Sequence, residues 1–209
     1  MTKKIAQKIS TQDKIVETAL KMFNAKGIEY VGMREIAEAA GLRIGNLTYY
    51  FPTKDALVNR LSEGLALLND QTIIANELIT MQDFFRMLDG VFANHVTYRC
   101  LLLSFVHIME RNAIISRNYN KTQTRRVDVW RSNIVHLQRN KYIRTRNSKD
   151  IDFLVSAISL IARFWISESA ISQKNMTHEQ QRAHYLSIVA KIFEPFATPK
   201  GLKELKAYF

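Results

Sequence analysis

Apolar residues recur at three- and four-residue steps along almost the whole of this 209-residue chain. This spacing places apolar side chains on one face of an α-helix, and no segment shows the two-residue alternation of a half-buried strand bounded by turn residues. The chain contains only 7 Gly and 3 Pro, so the periodic segments are seldom interrupted. Because each such helix must bury its apolar face against another, the sequence predicts an all-α protein.

Capping residues and glycines predict where the helices begin and end. Ser10 begins the first helix, which ends at Gly27, and Thr53 begins a fourth helix. Two shorter helices lie between them, over about 33–40 and 44–50. Beyond residue 80 the predicted helices lie near 81–95, 98–110, 113–141, 149–172 and 178–194.

Composition excludes several classes of protein. An apolar content of 47% is too high for a disordered basic tail, and a single cysteine, Cys100, allows no disulfide framework. The basic N-terminus lacks the apolar core of an export signal, and the longest apolar stretch, residues 100–109, is too short to span a bilayer. We therefore expect a cytoplasmic protein with no membrane span, whose net charge of +11 attracts nucleic acid, acidic ligands or an anionic surface.

The positive charge is concentrated in the middle of the chain. Residues 111–146 hold ten Lys or Arg against Asp128 alone, whereas residues 55–110 carry a net charge of −4 and residues 1–54 one of +4. Two explanations remain open: a solvated helix face that the acidic segment partly neutralises, or a basic rim that holds an anionic effector. A third use of such a helix is binding to a membrane surface.

Two short helices joined at Gly41, after a supporting helix, have the layout of a helix-turn-helix. Leu47 and Phe51 fall on the inner face of the second short helix, and its start and outer face carry short, polar or flat side chains. That mixture suits a helix that reads DNA, because small residues allow close approach while amide, hydroxyl and aromatic groups contact bases, phosphates and sugars. A simple turn between two helices is the alternative for the bare pattern.

Residues 33–57 resemble the DNA-binding signature of the TetR family of bacterial transcriptional regulators. The resemblance covers roughly residues 10–60 and depends on nine matches in register: Ile36, Ala37, Ala40, Gly41, Gly45, Leu47, Phe51, Lys54 and Leu57. The remainder of the chain resembles the family only in length and helical character. Gly32 and Arg43 depart from the family pattern, since each replaces a residue that would cap a helix with its side chain.

The resemblance implies a role for each residue of the exposed face. Lys54 and Thr48 would meet phosphates, and Arg34 a guanine edge or a phosphate. The N-terminal lysines Lys3, Lys4 and Lys8 would add phosphate contacts. The full set of expected DNA-binding residues is Arg34, Arg43, Ile44, Gly45, Asn46, Thr48, Tyr49, Tyr50 and Lys54.

The resemblance also implies a DNA-binding domain over residues 1–54 and a helical effector-binding and dimerisation domain over residues 55–209. A homodimer would form through the last two long helices, by Leu154, Val155, Ile158, Ile161, Ala162, Trp165, Leu186, Val189, Ile192 and Phe193. The alternative is that these apolar stripes pack inside one chain. An effector pocket would be lined by Phe92, Phe105, His107, Met109, Trp130, Phe164 and Trp165, with His107 or Arg163 as a polar anchor. An ordinary packed core is the alternative for these large side chains. His107 and Glu110 are too few for a metal site, and no cofactor is expected.

The expected function is therefore that of a dimeric transcriptional regulator, a repressor that a small-molecule effector releases from a palindromic operator. A DNA-binding architectural protein that responds to no ligand is the alternative, because it would use the same helix-turn-helix. We expect no enzyme activity, since the sequence offers no paired carboxylates, no nucleophile with its base and no phosphate-binding glycine loop.

Overall fold

The computed structural model describes residues 10–209, and every regular element of that part of the chain is helical. An isolated β-bridge between Ile143 and Ala197 is the nearest approach to a sheet there. The prediction of an all-α protein is confirmed. The α-helices are α1 (Thr11–Lys26), α2 (Met33–Ala39), α3 (Ile44–Tyr50), α4 (Lys54–Thr72), α5 (Met81–Thr97), α6 (Arg99–Leu103), α7 (Phe105–Arg111), α8 (Ala113–Arg139), α9 (Ser148–Ser172), α10 (His178–Phe193) and α11 (Pro199–Leu205).

Side-chain caps begin several of these helices where the sequence predicts. The Ser10 hydroxyl accepts the backbone N–H of Asp13 at 3.0 Å, and the Thr53 hydroxyl accepts that of Ala56 at 3.1 Å. Each cap satisfies a backbone donor that the first turn leaves without a helical partner. The one predicted helix that the structure divides is 98–110, which breaks at Ser104 into α6 and α7.

The N-terminal helices share a small apolar core. Phe23 from α1, Ile36 from α2 and Leu47 from α3 are almost fully buried, and Leu57 and Leu61 from α4 complete the cluster. Both α2 and α3 have only seven residues, which is too short for an independent helix, so this shared core is what stabilises them.

The helix α4 belongs to both halves of the molecule. Its first half packs against α1, and its second half contacts α5 and α8. Near its C-terminus the amide of Asn94 on α5 donates to Asn69 and Thr72 on α4, each at 3.1 Å. A boundary between residues 54 and 55 would therefore fall at the start of a continuous helix, and the division into two domains stays a prediction.

An aromatic cluster forms the core of the larger C-terminal part. Phe84 lies 5.5 Å from Trp130 and 5.4 Å from Phe193 between ring centroids, so rings from α5, α8 and α10 meet in one place. Phe92 stacks on Trp165 of α9 at 5.0 Å. These edge-to-face and stacked pairs stabilise the packing of four long helices.

The structure buries most of the face that the sequence predicts for the dimer, so seven of the ten predicted residues are not available to a second chain. Ile161, Ala162 and Ile192 are half-buried, and their part in a dimer stays a prediction. Leu154, Val155, Ile158 and Trp165 are buried within the chain's own core, as are Leu186, Val189 and Phe193 of α10. A different stripe of α9 stays exposed and apolar, and we call it the α9 stripe: Phe153, Leu160 and Ile171, with the half-buried Phe164 between them.

The helix α9 is also long and apolar enough to cross a membrane, with a mean hydropathy of 1.4 over its most apolar window. A core helix of a soluble protein meets the same criteria, and α9 contacts α5, α6, α8 and α10. The apolar residues on one side of α9 pack against these helices, and those on the other side form the exposed α9 stripe.

Candidate DNA interface and effector cavity

The turn between α2 and α3 fixes the angle at which α3 projects. Gly41 has a φ of 66°, in the left-handed region where glycine is strongly favoured. Its N–H donates to the carbonyl of Glu38 and the N–H of Leu42 to that of Ala37, both at 2.9 Å, so the turn ends α2 with its last carbonyls satisfied.

Apart from the buried Leu47, the side chains of α3 are exposed or only half-buried. Tyr49 is 81% exposed and Tyr50 and Ile44 are each 40% exposed, while Gly45 and Asn46 are also exposed. Arg43 at the N-cap and Arg34 on α2 are exposed, and neither forms an ion pair within residues 10–209. The structure thus leaves these side chains accessible to a ligand, and two of them are cations suited to phosphates or bases.

Local contacts modify what three of these residues offer. The hydroxyl of Thr48 donates back to the carbonyls of Ile44 and Gly45, at 3.1 and 3.2 Å, so its proton is directed into the helix and only its oxygen faces outward. The Tyr49 and Tyr50 rings meet edge to face at 5.2 Å, which fixes their relative orientation. A Cβ added to Gly45 would have nothing within 4 Å.

The two missing side-chain caps have different outcomes. No side chain caps α3 at Arg43. At α2, the carboxylate of Glu35 accepts the Gly32 N–H at 2.8 Å, and this backbone hydrogen bond is the main cause of a lowered pKa for Glu35. Glu35 therefore fixes the backbone at Gly32, which has no side chain of its own to cap α2.

Lys54 lies differently from the sequence expectation. Its ammonium donates to the backbone carbonyls of Val31 at 3.1 Å and Glu29 at 3.4 Å, so it ties the α1–α2 loop to the start of α4. An ammonium has three protons, and one is left for another acceptor. The phosphate contact of Lys54 stays a prediction, and the lysines of residues 1–8 lie outside the described residues.

Asn24 on α1 links the N-terminal helices to the C-terminal part, and the sequence analysis misses it. Its amide donates to the Thr97 carbonyl at 2.8 Å, its side-chain oxygen accepts the Cys100 N–H at 3.0 Å, and its backbone carbonyl accepts from the Arg99 guanidinium. No local signal distinguishes this asparagine from a solvated one, because its partners lie more than 70 residues away in sequence.

A cavity of about 720 Å³ opens between α4, α5, α6, α7, α8 and α9. Its wall is mostly aliphatic and aromatic, and of the seven predicted pocket residues it includes Phe105, Met109 and Trp130. The other four lie outside this cavity. Phe92 and Trp165 are buried in the core, and His107 and Phe164 line a separate cleft beside Gly27 and Glu29. Helical period identifies these residues as inward-facing, but it does not distinguish core from cavity.

Three of the polar side chains in the cavity wall, His95, Ser159 and Arg163, are buried or half-buried. His95 accepts the indole N–H of Trp165 at its Nδ1, 3.2 Å away, and its burial, with Arg126 nearby, lowers its pKa to about 3. The imidazole is therefore neutral, with Nε2–H as its donor. The Ser159 hydroxyl is buried without a hydrogen-bond partner in the described chain. Arg163 donates from Nε to the Tyr119 hydroxyl at 3.0 Å.

The basic helix α8 is partly neutralised by the acidic segment before it. Arg126 donates from Nε and Nη2 to Asp70 at 3.3 and 3.2 Å, and Arg125 pairs with the other oxygen of the same carboxylate. Burial alone would raise the pKa of Asp70, but the two guanidinium groups outweigh it and the pKa is lowered. These pairs agree with the first of the two explanations for the charge of residues 111–146.

The buried Cys100 has a thiol whose pKa burial raises to about 12, so it is un-ionised at neutral pH. Thiolate is the nucleophilic form of cysteine. Within residues 10–209, no three His, Cys, Asp or Glu side chains come together as a set of metal ligands.

Comparison with known proteins covers both halves of the chain. A family model described as "Bacterial regulatory proteins, tetR family" matches residues 15–61, and one described as "Bacterial transcriptional repressor" matches residues 59–205. Over 54 residues the chain is 43% identical to the "Probable HTH-type transcriptional regulator YttP" of Bacillus subtilis (strain 168). That match covers 26% of each protein, so the chain matches about a quarter of the length of this curated relative.

Solved structures show the same fold. A TetR-family transcriptional regulator from Marinobacter aquaeolei VT8 superposes with a TM-score of 0.87 at 20% identity, over 96% of this chain and 99% of that one. The MbdR regulator from Azoarcus sp. CIB superposes with a TM-score of 0.66 at 18% identity, over 86% and 97% of the two chains. The likeness therefore extends over nearly the whole molecule.

Proposed function

The chain belongs to the TetR family of bacterial transcriptional regulators, and from this premise we propose that it is a dimeric repressor that a small-molecule effector releases from a palindromic DNA operator. The observation that carries the proposal is α3, a seven-residue helix that buries Leu47 and leaves an accessible face beside Arg34 and Arg43, which form no ion pair with any residue of 10–209. This face has no role in the chain's own core.

In the proposed complex, the N-terminal half of α3 lies in the major groove. Asn46 reads a base edge, for which adenine is the preferred partner of an amide, and Ile44 contacts a thymine methyl group. Arg34, Arg43 and the two tyrosines bind phosphates and sugars, which sets the register of the helix on the duplex without reading sequence.

The α9 stripe supports a homodimer. Its apolar residues recur on one face of a long helix, as in a helix that packs against a two-fold copy of itself. In such a dimer the two α3 helices would meet half-sites about one DNA turn, or about 34–36 Å, apart. In this proposal α9 contributes a face other than the one that the sequence predicts.

The cavity supports regulation by an effector over the architectural alternative, which needs no pocket. The cavity wall includes Leu101 and Leu102 of α6 and Phe105 of α7. The helix α6 is in turn held to α1 by the hydrogen bonds of Asn24. A ligand that displaces this wall would therefore move α1 and with it α3. The ligand weakens DNA binding to the extent that it prefers the displaced state.

A binding-site selection on random duplex DNA tests the proposal. We expect the purified protein to enrich a palindrome with half-sites about one helical turn apart. Asn46→Ala should enrich a site that differs at one symmetric pair of positions, because the lost amide no longer selects its base. Asn120→Ala, which alters an exposed asparagine on α8, is the matched control and should select the wild-type site. Enrichment of no sequence, or of one without two-fold symmetry, would refute the proposal.

A further inference from the structure

We propose that the effector is an amphipathic organic monoanion, an apolar chain or ring system that carries one carboxylate, and that Arg163 binds this carboxylate. The inference rests on the proposed function, because it names the ligand class of the cavity that the effector would occupy.

Arg163 is a half-buried cation in the cavity wall that no carboxylate of residues 10–209 neutralises. Its Nε donates to the Tyr119 hydroxyl at 3.0 Å, and its guanidinium carbon lies 5.9 Å from the Tyr119 ring and 6.0 Å from the Phe164 ring. These contacts hold the guanidinium in place and leave its two terminal nitrogens as donors. A pair of terminal guanidinium nitrogens matches the two oxygens of a carboxylate.

The other arginines beside the cavity are already paired. Arg125 and Arg126 share Asp70, and Arg126 also donates to the Ala66 carbonyl at 3.1 Å. Lys121 of the basic segment 111–146 also lines the cavity and forms no ion pair within residues 10–209, but it is exposed to solvent. The half-buried Arg163 of α9 is therefore the anion-binding group that we assign. A single half-buried cation of the wall without an ion pair among residues 10–209 favours a ligand with one negative charge, because a second charge would enter an apolar site uncompensated.

Ser159 adds a second, independent sign of a ligand at this place. It lies one helical turn before Arg163 on the same face of α9, so the two side chains are neighbours. Its buried hydroxyl has no hydrogen-bond partner in the described chain, and a buried hydroxyl left unsatisfied costs free energy. A carboxylate oxygen at Arg163 would supply the missing acceptor. The Tyr119 hydroxyl accepts from Arg163 and still has its own proton to donate.

The rest of the cavity suits an apolar body. Leu102, Ile108, Met109, Ile115 and Trp130 line it, and the neutral His95 offers a single N–H donor without adding charge. A volume of about 720 Å³ lies in the range of sites that hold small organic molecules.

Titration calorimetry of the full chain with two acids and their amides tests the inference. The probes are decanoate and 2-naphthoate, each against its primary amide, which has nearly the same shape but no charge. We expect at least one acid to bind about tenfold or more tightly than its amide, and Arg163→Gln to abolish that preference while amide binding changes little. Arg163→Lys should retain part of the preference, because it retains the charge. Ser159→Ala should weaken binding of the acid several-fold.

Arg125→Gln is the matched control, since it removes a cation that is exposed and already paired with Asp70. It should leave the preference for the acid intact. Equal binding of acid and amide, an unchanged preference in Arg163→Gln, or binding of neither acid at millimolar concentration would overturn the inference.

The failure of this inference is distinguishable from the failure of the proposed function. Operator affinity without ligand does not involve Arg163, so Arg163→Gln should bind the selected operator as the wild type does. If the operator is selected but the acids do not bind, the ligand class is wrong and the DNA-binding function stands. If the acids bind as expected but leave operator affinity unchanged, the ligand class stands and effector release is refuted.

Discussion

Gly45 lies on the exposed face of α3 in a place where the chain itself has room for a side chain. Its backbone is helical, and glycine inside a helix is less favourable than alanine by about 0.8–1 kcal/mol. The fold therefore gains nothing from a glycine here. In the proposed complex, a glycine here lets DNA approach the helix backbone closely, which would account for the missing side chain.

Gly45→Ala should separate stability from DNA binding. Alanine fits the free protein, so urea denaturation should show a free energy of unfolding that is unchanged or higher by up to about 1 kcal/mol. Fluorescence anisotropy should show an operator affinity at least about tenfold lower, because the added methyl group meets the DNA. A variant that keeps wild-type affinity would show that DNA does not approach α3 at this residue.

His95 makes the free energy of unfolding depend on pH in a window that begins at higher pH than that of the carboxylates. Its pKa is lowered to about 3 in the folded chain, against about 6.5 in an unfolded chain. Below pH 6.5, His95 binds a proton in the unfolded state but stays neutral in the folded state. The free energy of unfolding therefore falls as pH falls. The slope approaches about 1.4 kcal/mol per pH unit and ends near the folded pKa.

His95→Gln should remove this part of the pH dependence, because glutamine binds no proton. Urea denaturation at pH 7.5, 6.0 and 5.0 should show a smaller loss of stability in the variant than in the wild type, even though the variant is less stable at pH 7.5. The comparison cancels the contribution of the other histidines. Parallel slopes in the two proteins would contradict the assignment of a neutral buried His95.

Among the helices, α6 is placed to transmit a change in the cavity to the DNA-binding helices. It is only five residues long, it supplies Leu101 and Leu102 to the cavity wall, and Ser104 separates it from α7. On its other side it contacts α1 through Asn24. Sequence periodicity predicts one continuous helix over 98–110, and the break at Ser104 gives α6 a freedom that a longer helix would not have.

Asn24→Ala should weaken the coupling between the two sites while each site still binds its own ligand. The substitution removes both side-chain hydrogen bonds to the α5–α6 junction. In the wild type we expect saturating decanoate to lower operator affinity about 5- to 150-fold, which is a coupling free energy of about 1–3 kcal/mol. In Asn24→Ala this factor should approach one. Fluorescence anisotropy with and without decanoate measures it.

Asn94→Ala is the control for this experiment. It also removes two hydrogen bonds of an asparagine amide, but these join α5 to α4 and do not involve α1. A comparable loss of coupling in both variants would indicate a general loosening of the helices and would argue against a specific role for Asn24.

For the whole molecule, the α9 stripe is the feature that the isolated chain leaves unexplained. Phe153, Leu160 and Ile171 are 53%, 60% and 75% exposed, on a helix whose opposite face is the core. A second copy of the chain would cover these residues and remove the apolar surface from water.

Leu160→Glu should yield a monomer, because two glutamates would meet near the two-fold axis in an apolar interface. Light scattering after size exclusion should show half the wild-type mass, and operator affinity should fall since a monomer binds a single half-site. Leu78→Glu is the control, as Leu78 is 82% exposed but lies in the loop before α5, away from the stripe. A Leu160→Glu protein with the wild-type mass would place the dimer interface elsewhere.

The basic residues of the molecule fall into two groups that differ in whether they are paired with carboxylates. The DNA-binding helices present Arg34 and Arg43 without ion-pair partners, whereas Arg125 and Arg126 of the more basic segment are bound to Asp70. The net positive charge of the composition suggests a nucleic-acid ligand. Most of that net charge, however, lies outside the DNA-binding helices.

The sequence by itself determined the helices and the helix-turn-helix, because caps, glycines and helical period act between residues that are close in the chain. Ser10, Thr53 and Gly41 fix their elements through partners within five residues. The tertiary structure decided which apolar side chains face the core, the cavity or solvent. The helix α9 is apolar around most of its circumference, so periodicity could not choose between the buried Leu154 and the exposed Leu160. Nor could it show that Arg163 lacks a carboxylate, since the partners of a side chain depend on which helices the fold brings beside it.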